Sequence, residues 1–587
     1  MLKPIQFILL AGTTLLIPLS GQAQQKKPKK AAKVATSIVK KPLDHSVYDF
    51  WKDNTERAVT NDGKFFIYNQ NPQEGDGKEI IHELSTSKKD SIKRGSGIRI
   101  TEDSEFAVFK IKPQLSLVKQ AQRAKKKKDE MPKDSLAIYN LRSKTVQKFP
   151  TVASFSIPKK QGSWVAYLLE PANKDKKDTL SKSTKTAKIK KESEENGSKL
   201  IVRDLKSGTE QTFPYVKEYT TSEDGKWLSF ASTGNDSTFK AGVYVWSAET
   251  KISQLIHLGH SKQSFTKLAF AKEKPLLAFV ADPDTNAKVQ IRQPQLYLWE
   301  QGNQAAKMIA DRNNQPGQKG WLVSGNYTPL FSKDASKLFF GTNPKPVVPD
   351  TTLLPDEMVN VEVWSWQDKE LQTRQKVTLD QDKKKSYLAV YDVSTQKLTQ
   401  LADEAISSTS IVNEGNSNIL IGTSDQKYSH EHWDWNPKMD LYLIDVKDGS
   451  RKLIKEKIEG NPNISPTGKY AYWFSNPDTA WFAYDIAGQK LVQLTTNKEV
   501  NFADEEDDHP DFPNPYGLAG WTKDDGSLLV YDRYDLWEIK PSDPAAMQKL
   551  TSGREDKRQF RFKKLDPEER NVDLSKSRSE ERRVGKE

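Results

Sequence analysis

The chain has 587 residues, no cysteine and a formal charge of +12. The missing cysteine excludes disulfides, thiolate metal sites, a cysteine nucleophile and lipid attachment at an N-terminal cysteine. Much of the lysine excess lies in three low-complexity runs, 26–33, 125–128 and 174–191, mixed with Ser, Thr and acids and without interleaved aromatics. Such runs read as solvated loops, so no nucleic-acid partner is expected.

In chain order, Lys3, the apolar run Phe7 to Leu19 and the small-x-small site Gly21-Gln22-Ala23 read as a secretory signal peptide over 1–23. Cleavage is expected between Ala23 and Gln24, giving an exported chain, periplasmic or extracellular. No later stretch is long and apolar enough to span a bilayer as a helix. Residues 24–43 form a Lys-rich linker expected to be disordered.

From residue 44 a unit recurs. A polar turn leads into a short aromatic or β-branched strand, and a second strand follows that ends near an acid. The turn stands at Asn61-Asp62-Gly63-Lys64, Glu223-Asp224-Gly225-Lys226, Pro466-Thr467-Gly468-Lys469 and Asp524-Asp525-Gly526-Ser527, with a degenerate copy at Lys333-Asp334-Ala335-Ser336. The first strand stands at Phe65–Tyr68, Phe106–Phe109, Trp164–Tyr167, Trp227–Phe230, Leu277–Val280, Leu338–Phe340 and Tyr470–Trp473. The second is centred near Tyr139, Arg203, Trp246, Trp299, Tyr391, Ile444, Tyr484 and Trp537. A repeat of this length, rich in strands and turns, predicts an all-β propeller over 44–570 with seven or eight blades. Charged insertions at 119–134 and 173–196 lengthen its loops. The gap between Trp299 and Tyr391 holds a further expected strand, Val359 to Trp366, and Gln559 to Pro567 reads as a strand opening another element. Residues 571–587 read as a truncated end. The decapeptide 578–587 resembles the translation of a common short-read sequencing adapter, so the natural chain is expected to continue.

Candidate chemistry is sparse. No Gly-x-Ser-x-Gly nucleophile turn occurs; Gly415-Asn416-Ser417 and Gly422-Thr423-Ser424 lack its second glycine. The seven histidines, His45, His82, His257, His260, His430, His432 and His509, have no nucleophile and acid placed beside them in sequence. His430-Glu431-His432 and the acidic run Asp504 to Asp508 with His509 lack a third ligand fixed by spacing, and Asp282-Pro283-Asp284-Thr285-Asn286 lacks the Gly and Glu of a calcium loop (Ala287 and Gln293 stand there). No catalytic residue, metal or cofactor is therefore assigned. The densest constellation is His432, Trp433, Asp434 and Trp435, read either as packing between blades or as an aromatic and acidic rim facing a peptide.

The segment His432-Trp433-Asp434-Trp435-Asn436-Pro437-Lys438-Met439-Asp440-Leu441-Tyr442 resembles the Trp-Asp-x-Trp segment and following strand of propellers in the prolyl oligopeptidase family of serine peptidases, including its dipeptidyl-peptidase and acylaminoacyl-peptidase branches. Asp44-His45-Ser46-Val47-Tyr48-Asp49-Phe50-Trp51 and Lys385-Ser386-Tyr387-Leu388-Ala389-Val390-Tyr391-Asp392 resemble large secreted members from Bacteroidetes-type bacteria. The resemblance implies an N-terminal propeller that gates access of short peptides to an α/β-hydrolase domain carrying Ser, Asp and His. That domain is absent from this chain, so no catalytic residue carries over, and the paired-Glu motif that grips a substrate amino terminus is not recognisable. The chain alone is expected to be inactive. The competing expectation is a self-sufficient periplasmic propeller acting as a protein scaffold.

Overall fold

The computed structural model describes residues 44–576 except 172–191, 236–237, 287, 349, 355, 360, 432–436, 565 and 567. The expected signal peptide and linker, the Lys run at 174–191 and the adapter-like tail thus lie outside the described residues.

The repeat becomes a series of antiparallel sheets following the chain in order. Unit one spans Lys52–Val59 to Lys89–Lys93, and unit two Gly95–Ile100 to Thr145–Phe149. Units three and four form a single seven-stranded sheet from Val152–Ser156 to Ser253–Leu258, because Glu210–Thr221 is long enough to end one unit and begin the next. Units five to nine start at Ser264–Phe270, Leu322–Val323, Ser408–Ser410, Asn463–Ile464 and Leu518–Trp521. The all-β propeller expectation is met. Among the described residues, nine units in eight hydrogen-bonded sheets stand beside the expected seven or eight blades; the sixth has five strands and the others four, with Glu210–Thr221 counted in both units it joins.

The expected second strands all fall on the third strand of a unit, from Tyr139 in Ser135–Asn140 to Trp537 in Leu536–Lys540. Two expected strands do not form. Residues 361–366 pair with nothing; the sixth sheet closes across them by joining Lys337–Asn343 to Tyr387–Asp392. Nor is the stretch from Gln559 a strand: Phe560 N–H donates to the Tyr534 carbonyl, and Phe562 N–H to the Tyr531 hydroxyl. Apolar content without a neighbouring edge leaves backbone groups nothing to pair with.

Eight apolar clusters fill the junctions from units one and two through units eight and nine. Both faces of the middle strands are therefore buried, which is why residues 106–109 and 276–281 are continuously apolar rather than alternating. Each buried large side chain is worth about 1.5–3 kcal/mol. The far faces of the terminal units are also covered: Tyr68 and Ile80 in the first, Leu529 and Tyr531 in the ninth are buried.

The turn between first and second strands explains the recurring sequence. In Thr60/Asp62, Thr101/Asp103, Ser222/Asp224 and Ser332/Asp334 the hydroxyl donates to the carboxylate at 2.6 Å. The same hydroxyl accepts the N–H of the residue opening the second strand, at 3.0–3.1 Å. The carboxylate accepts another turn N–H, at 3.0–3.1 Å. Gly63 and Gly225 sit at φ +69°, where a side chain would be strained.

Candidate functional site

Antiparallel order gives the propeller two different ends. One carries the hydroxyl–carboxylate turns. The other carries the loops between second and third strands, and there the described parts of the long insertions lie: helix Leu115–Arg123 with the rest of 112–134, residues 192–197, helix Gln372–Asp382 with its described flanks, and residues 425–431.

His432, Trp433, Asp434 and Trp435 belong to the last of these loops and lie outside the described residues. Their flanks are described. The 3-10 helix Gln426–Glu431 leads in, and strand Lys438–Asp445 leads out. Asp440, almost fully buried, ties the two together. It accepts from the Tyr428 hydroxyl at 2.7 Å and from Lys457 N–H at 3.1 Å, and pairs with Lys427 at 2.7 Å. Lys427 also reaches Glu456 at 2.7 Å. Burial works to raise the Asp440 carboxyl, but the Lys427 and Tyr428 hydrogen bonds outweigh it and hold the group below its usual range. Burial and the bond to Asp440 push the Tyr428 phenol up to about 12.

Beside this loop, a cavity of about 620 Å³ opens between the insertions of units six and seven, lined by Trp364, Trp366, Asp368, Glu370, Thr373 and His430. Trp364 stacks under the Lys376 ammonium at 6.0 Å, while Trp366 is 87 % exposed. The arrangement offers aromatic faces and carboxylates for binding. Among the described residues it includes no serine with a histidine and an acid in hydrogen-bond reach.

The other candidates separate. His257 is packed against Phe265, Phe279 and Tyr297, and burial lowers its pKa. His45 stacks edge-on to Tyr48. Ser417 spends its hydroxyl on the Ile419 carbonyl, and Gly422 lies inside strand Ile419–Ser424. Asp507, Asp508 and His509 hold donor atoms within 4.8 Å of one another on a loop between units eight and nine, and His430 is not among them. In the Asp282 loop the Arg292 guanidinium donates to the Asp282 carboxylate at 2.9 Å and to the carbonyls of Asp284 and Asn286, so this loop already encloses a cation of its own.

Two carboxylates at the turn end were missed by sequence reasoning. Glu414 binds Lys272 of unit five at 3.1 Å, Lys333 of unit six at 3.3 Å, and Arg570 of the C-terminal segment. Burial opposes ionisation there, yet these cations bring its pKa down to about 2. Asp525 of unit nine crosses to Thr467 of unit eight. The signal was present in Asn413-Glu414-Gly415 and Asp524-Asp525-Gly526, where two left-handed residues precede a glycine and turn the acid outward.

No protein-family model and no curated protein matches the chain. Among solved structures, Porphyromonas gingivalis dipeptidyl peptidase 4 is 10% identical, with a TM-score of 0.36, over 85% of this chain and 67% of its own. Pyrococcus horikoshii acylaminoacyl peptidase is 10% identical, with a TM-score of 0.28, over 73% of this chain and 58% of its own. The β-propeller domain of the trilobed protease from Pyrococcus furiosus is 8% identical, with a TM-score of 0.28, over 69% of this chain and 98% of its own. The chain therefore spans less than two thirds of the acylaminoacyl peptidase. These identities and scores record a likeness and carry no functional argument.

Proposed function

We propose that the chain is the N-terminal, substrate-gating propeller of an exported serine peptidase of the prolyl oligopeptidase family, whose α/β-hydrolase domain lies beyond this sequence. The observation that carries the reading is that the segment resembling the family's Trp-Asp-x-Trp motif leads straight into the third strand of a propeller unit, Lys438–Asp445, as the resemblance implies. Sheets occupy the chain from Lys52 to Lys549, and the two α-helices among the described residues are short insertions, which leaves no room there for a hydrolase domain. A ring over a catalytic cleft admits short flexible peptides, rejects folded proteins and shields the chemistry from bulk water. Export rests on the N-terminal segment.

The test is to extend the reading frame past codon 577 and express both forms. The longer chain should reveal Gly-x-Ser-x-Gly followed by Asp and His, and should be labelled by a fluorophosphonate. The 587-residue chain should take no label and cleave no peptide. A natural stop after Glu587, or phosphonate-sensitive cleavage by the short form, overturns the reading. The second reading, a self-sufficient scaffold, is favoured by the apolar surface of residues 347–379.

A further inference from the structure

The formal charge of +12 is concentrated rather than spread. Residues 112–133, in the insertion of unit two, hold eight bases and two acids, and residues 174–191 of the next insertion hold the same numbers. The rest of the chain is formally neutral. The described parts of these two insertions lie in adjacent units at one end of the propeller, where Lys128 of the first pairs with Glu194 of the second at 2.9 Å.

The first insertion is held on the body of the protein. Helix Leu115–Arg123 buries Ala121, its Leu115 N–H donates to the Asp76 carboxylate of unit one at 2.9 Å, and Lys119 pairs with Glu74 of the same loop. The chain then turns back on the helix end. Lys125 takes a left-handed φ of +50°, and Lys126 N–H donates to the Ala121 carbonyl at 3.1 Å. Acids of the body take up Lys119, Lys128 and, through Glu170 at 3.3 Å, Lys133. Lys112, Arg123, Lys125, Lys126 and Lys127 are exposed and form no ion pair among the described residues. The helix dipole favours cations only within its last turn, which accounts for Arg123 alone. Leu117, 50 % exposed, shares a face with the exposed Ala124 seven residues on, and this face points away from the body.

We propose that this face docks on an anionic phospholipid bilayer, with Leu117 entering the interfacial layer and the five free cations pairing with lipid phosphates around it. Three observations favour a bilayer over a soluble polyanion. Four of the five cations are lysines, compact point charges that suit a diffuse anionic surface, where arginine forks would give fixed bidentate recognition. Residues 112–133 contain no aromatic side chain, so the bases of a nucleic acid would find nothing to stack on. An exposed leucine among cations is the composition of a helix lying in a membrane interface.

Co-sedimentation of the 587-residue chain with vesicles tests this, using phosphatidylcholine alone and an equal mixture with phosphatidylglycerol. Each cation near an anionic leaflet adds about fivefold to partitioning, so Arg123→Gln/Lys126→Gln/Lys127→Gln should weaken binding to the mixed vesicles about 100-fold. Leu117→Ser should weaken it several-fold. The replaced side chains are exposed, so both variants should keep the parent's circular dichroism and melting curve. The parent should prefer the mixed vesicles to phosphatidylcholine by about 100-fold or more and lose that preference in about 0.5 M salt. Equal binding by the parent and the triple variant overturns the proposal. So does loss of binding on replacing Lys26, Lys27, Lys29 and Lys30 by Gln instead, which would place the contact in the N-terminal run. A parent that ignores the vesicles but binds inorganic polyphosphate assigns the cations to a soluble polyanion and also overturns it.

Discussion

Asp525, in the ninth unit, supplies the carboxylate that Thr467, in the eighth, lacks. Five turns carry an Asp two residues after the Ser or Thr, the ninth with Thr522 and Asp524, but the eighth reads Ser465-Pro466-Thr467. Its turn N–H groups would be left without an acceptor. Asp525, fully buried, fills the place from next door: it accepts from Thr467 N–H at 3.0 Å, from Lys469 N–H at 3.3 Å and from the Thr467 hydroxyl at 2.5 Å. A local turn has become a bond between blades.

Asp525→Ala should therefore destabilise the fold by about 2–3 kcal/mol, since three donors of Thr467 and Lys469 lose one charged, buried acceptor. Thr467→Asp placed in that background should recover most of the loss by restoring the local pattern. Urea unfolding of the four members of this cycle checks it; equal losses in both backgrounds would mean that the two residues are not coupled.

Glu79 gives a pH dependence of definite sign. It is fully buried in the first unit, where Asn69 Nδ2 donates to it at 3.2 Å. Burial, aided by the nearby charge of Glu56, pushes its pKa up to about 7 from 4.5, with the Asn69 bond opposing. The folded state thus holds a proton that the unfolded chain has released. Stability from this group is full below pH 4.5 and is lost as pH rises towards 7, by about 3 kcal/mol in all. Glu79→Gln should stabilise at pH 8 and change little at pH 4. Thermal melts at the two pH values report the difference; a Gln effect equal at both would remove the titration argument.

Glu414→Gln should free the C-terminal segment. Glu414 gathers Lys272, Lys333 and Arg570 onto one carboxylate, and Glu568 adds a pair with Lys160 of unit three at 3.7 Å. Because the folded pKa is about 2, below the ordinary carboxylate value, this contribution is present above pH 4.5 and fades as pH falls through 2. Its partial exposure limits the loss to about 1 kcal/mol. Trypsin should cut near Arg570 several-fold faster in the variant, and high salt should bring the parent to the same rate. Unchanged cutting would show that the segment is held by other contacts.

Two glycine substitutions should differ widely. Gly242 sits at φ +151°, where an added Cβ meets the His257 carbonyl oxygen, which cannot move without breaking the sheet. Gly63 sits at φ +69° with nothing within 4 Å. Gly63→Ala should cost about 1 kcal/mol and Gly242→Ala about 3 kcal/mol or more. Comparing soluble yield and melting temperature distinguishes them.

The sequence made the middle of each unit readable because those strands are buried on both faces and carry runs such as Trp227–Phe230 and Leu277–Val280. The first strands were hidden. Leu322–Val323, Ser408–Ser410 and Asn463–Ile464 are two or three residues long, too short for any period to register. Val359 to Trp366 misled for the opposite reason: its composition is that of a strand, but no edge lies beside it. For the candidate site, the resemblance pointed to residues 432–435, whereas the carboxylates that join neighbouring units, Glu414 and Asp525, depend on which turns meet in space. The Asn-Glu-Gly and Asp-Asp-Gly triplets mark those two turns, but not which neighbour each acid meets.

The strand Glu210–Thr221 has a mechanical consequence. Its first half hydrogen-bonds to Ser198–Asp204 and its second to Trp227–Ser232, so no seam of side chains alone separates units three and four. The other junctions are held by apolar contacts and side-chain bonds, such as Asp525 to Thr467, with no strand shared across them. This one parts only if backbone hydrogen bonds are broken. Units three and four must therefore travel as one rigid plate, and any junction that yields lies between other units.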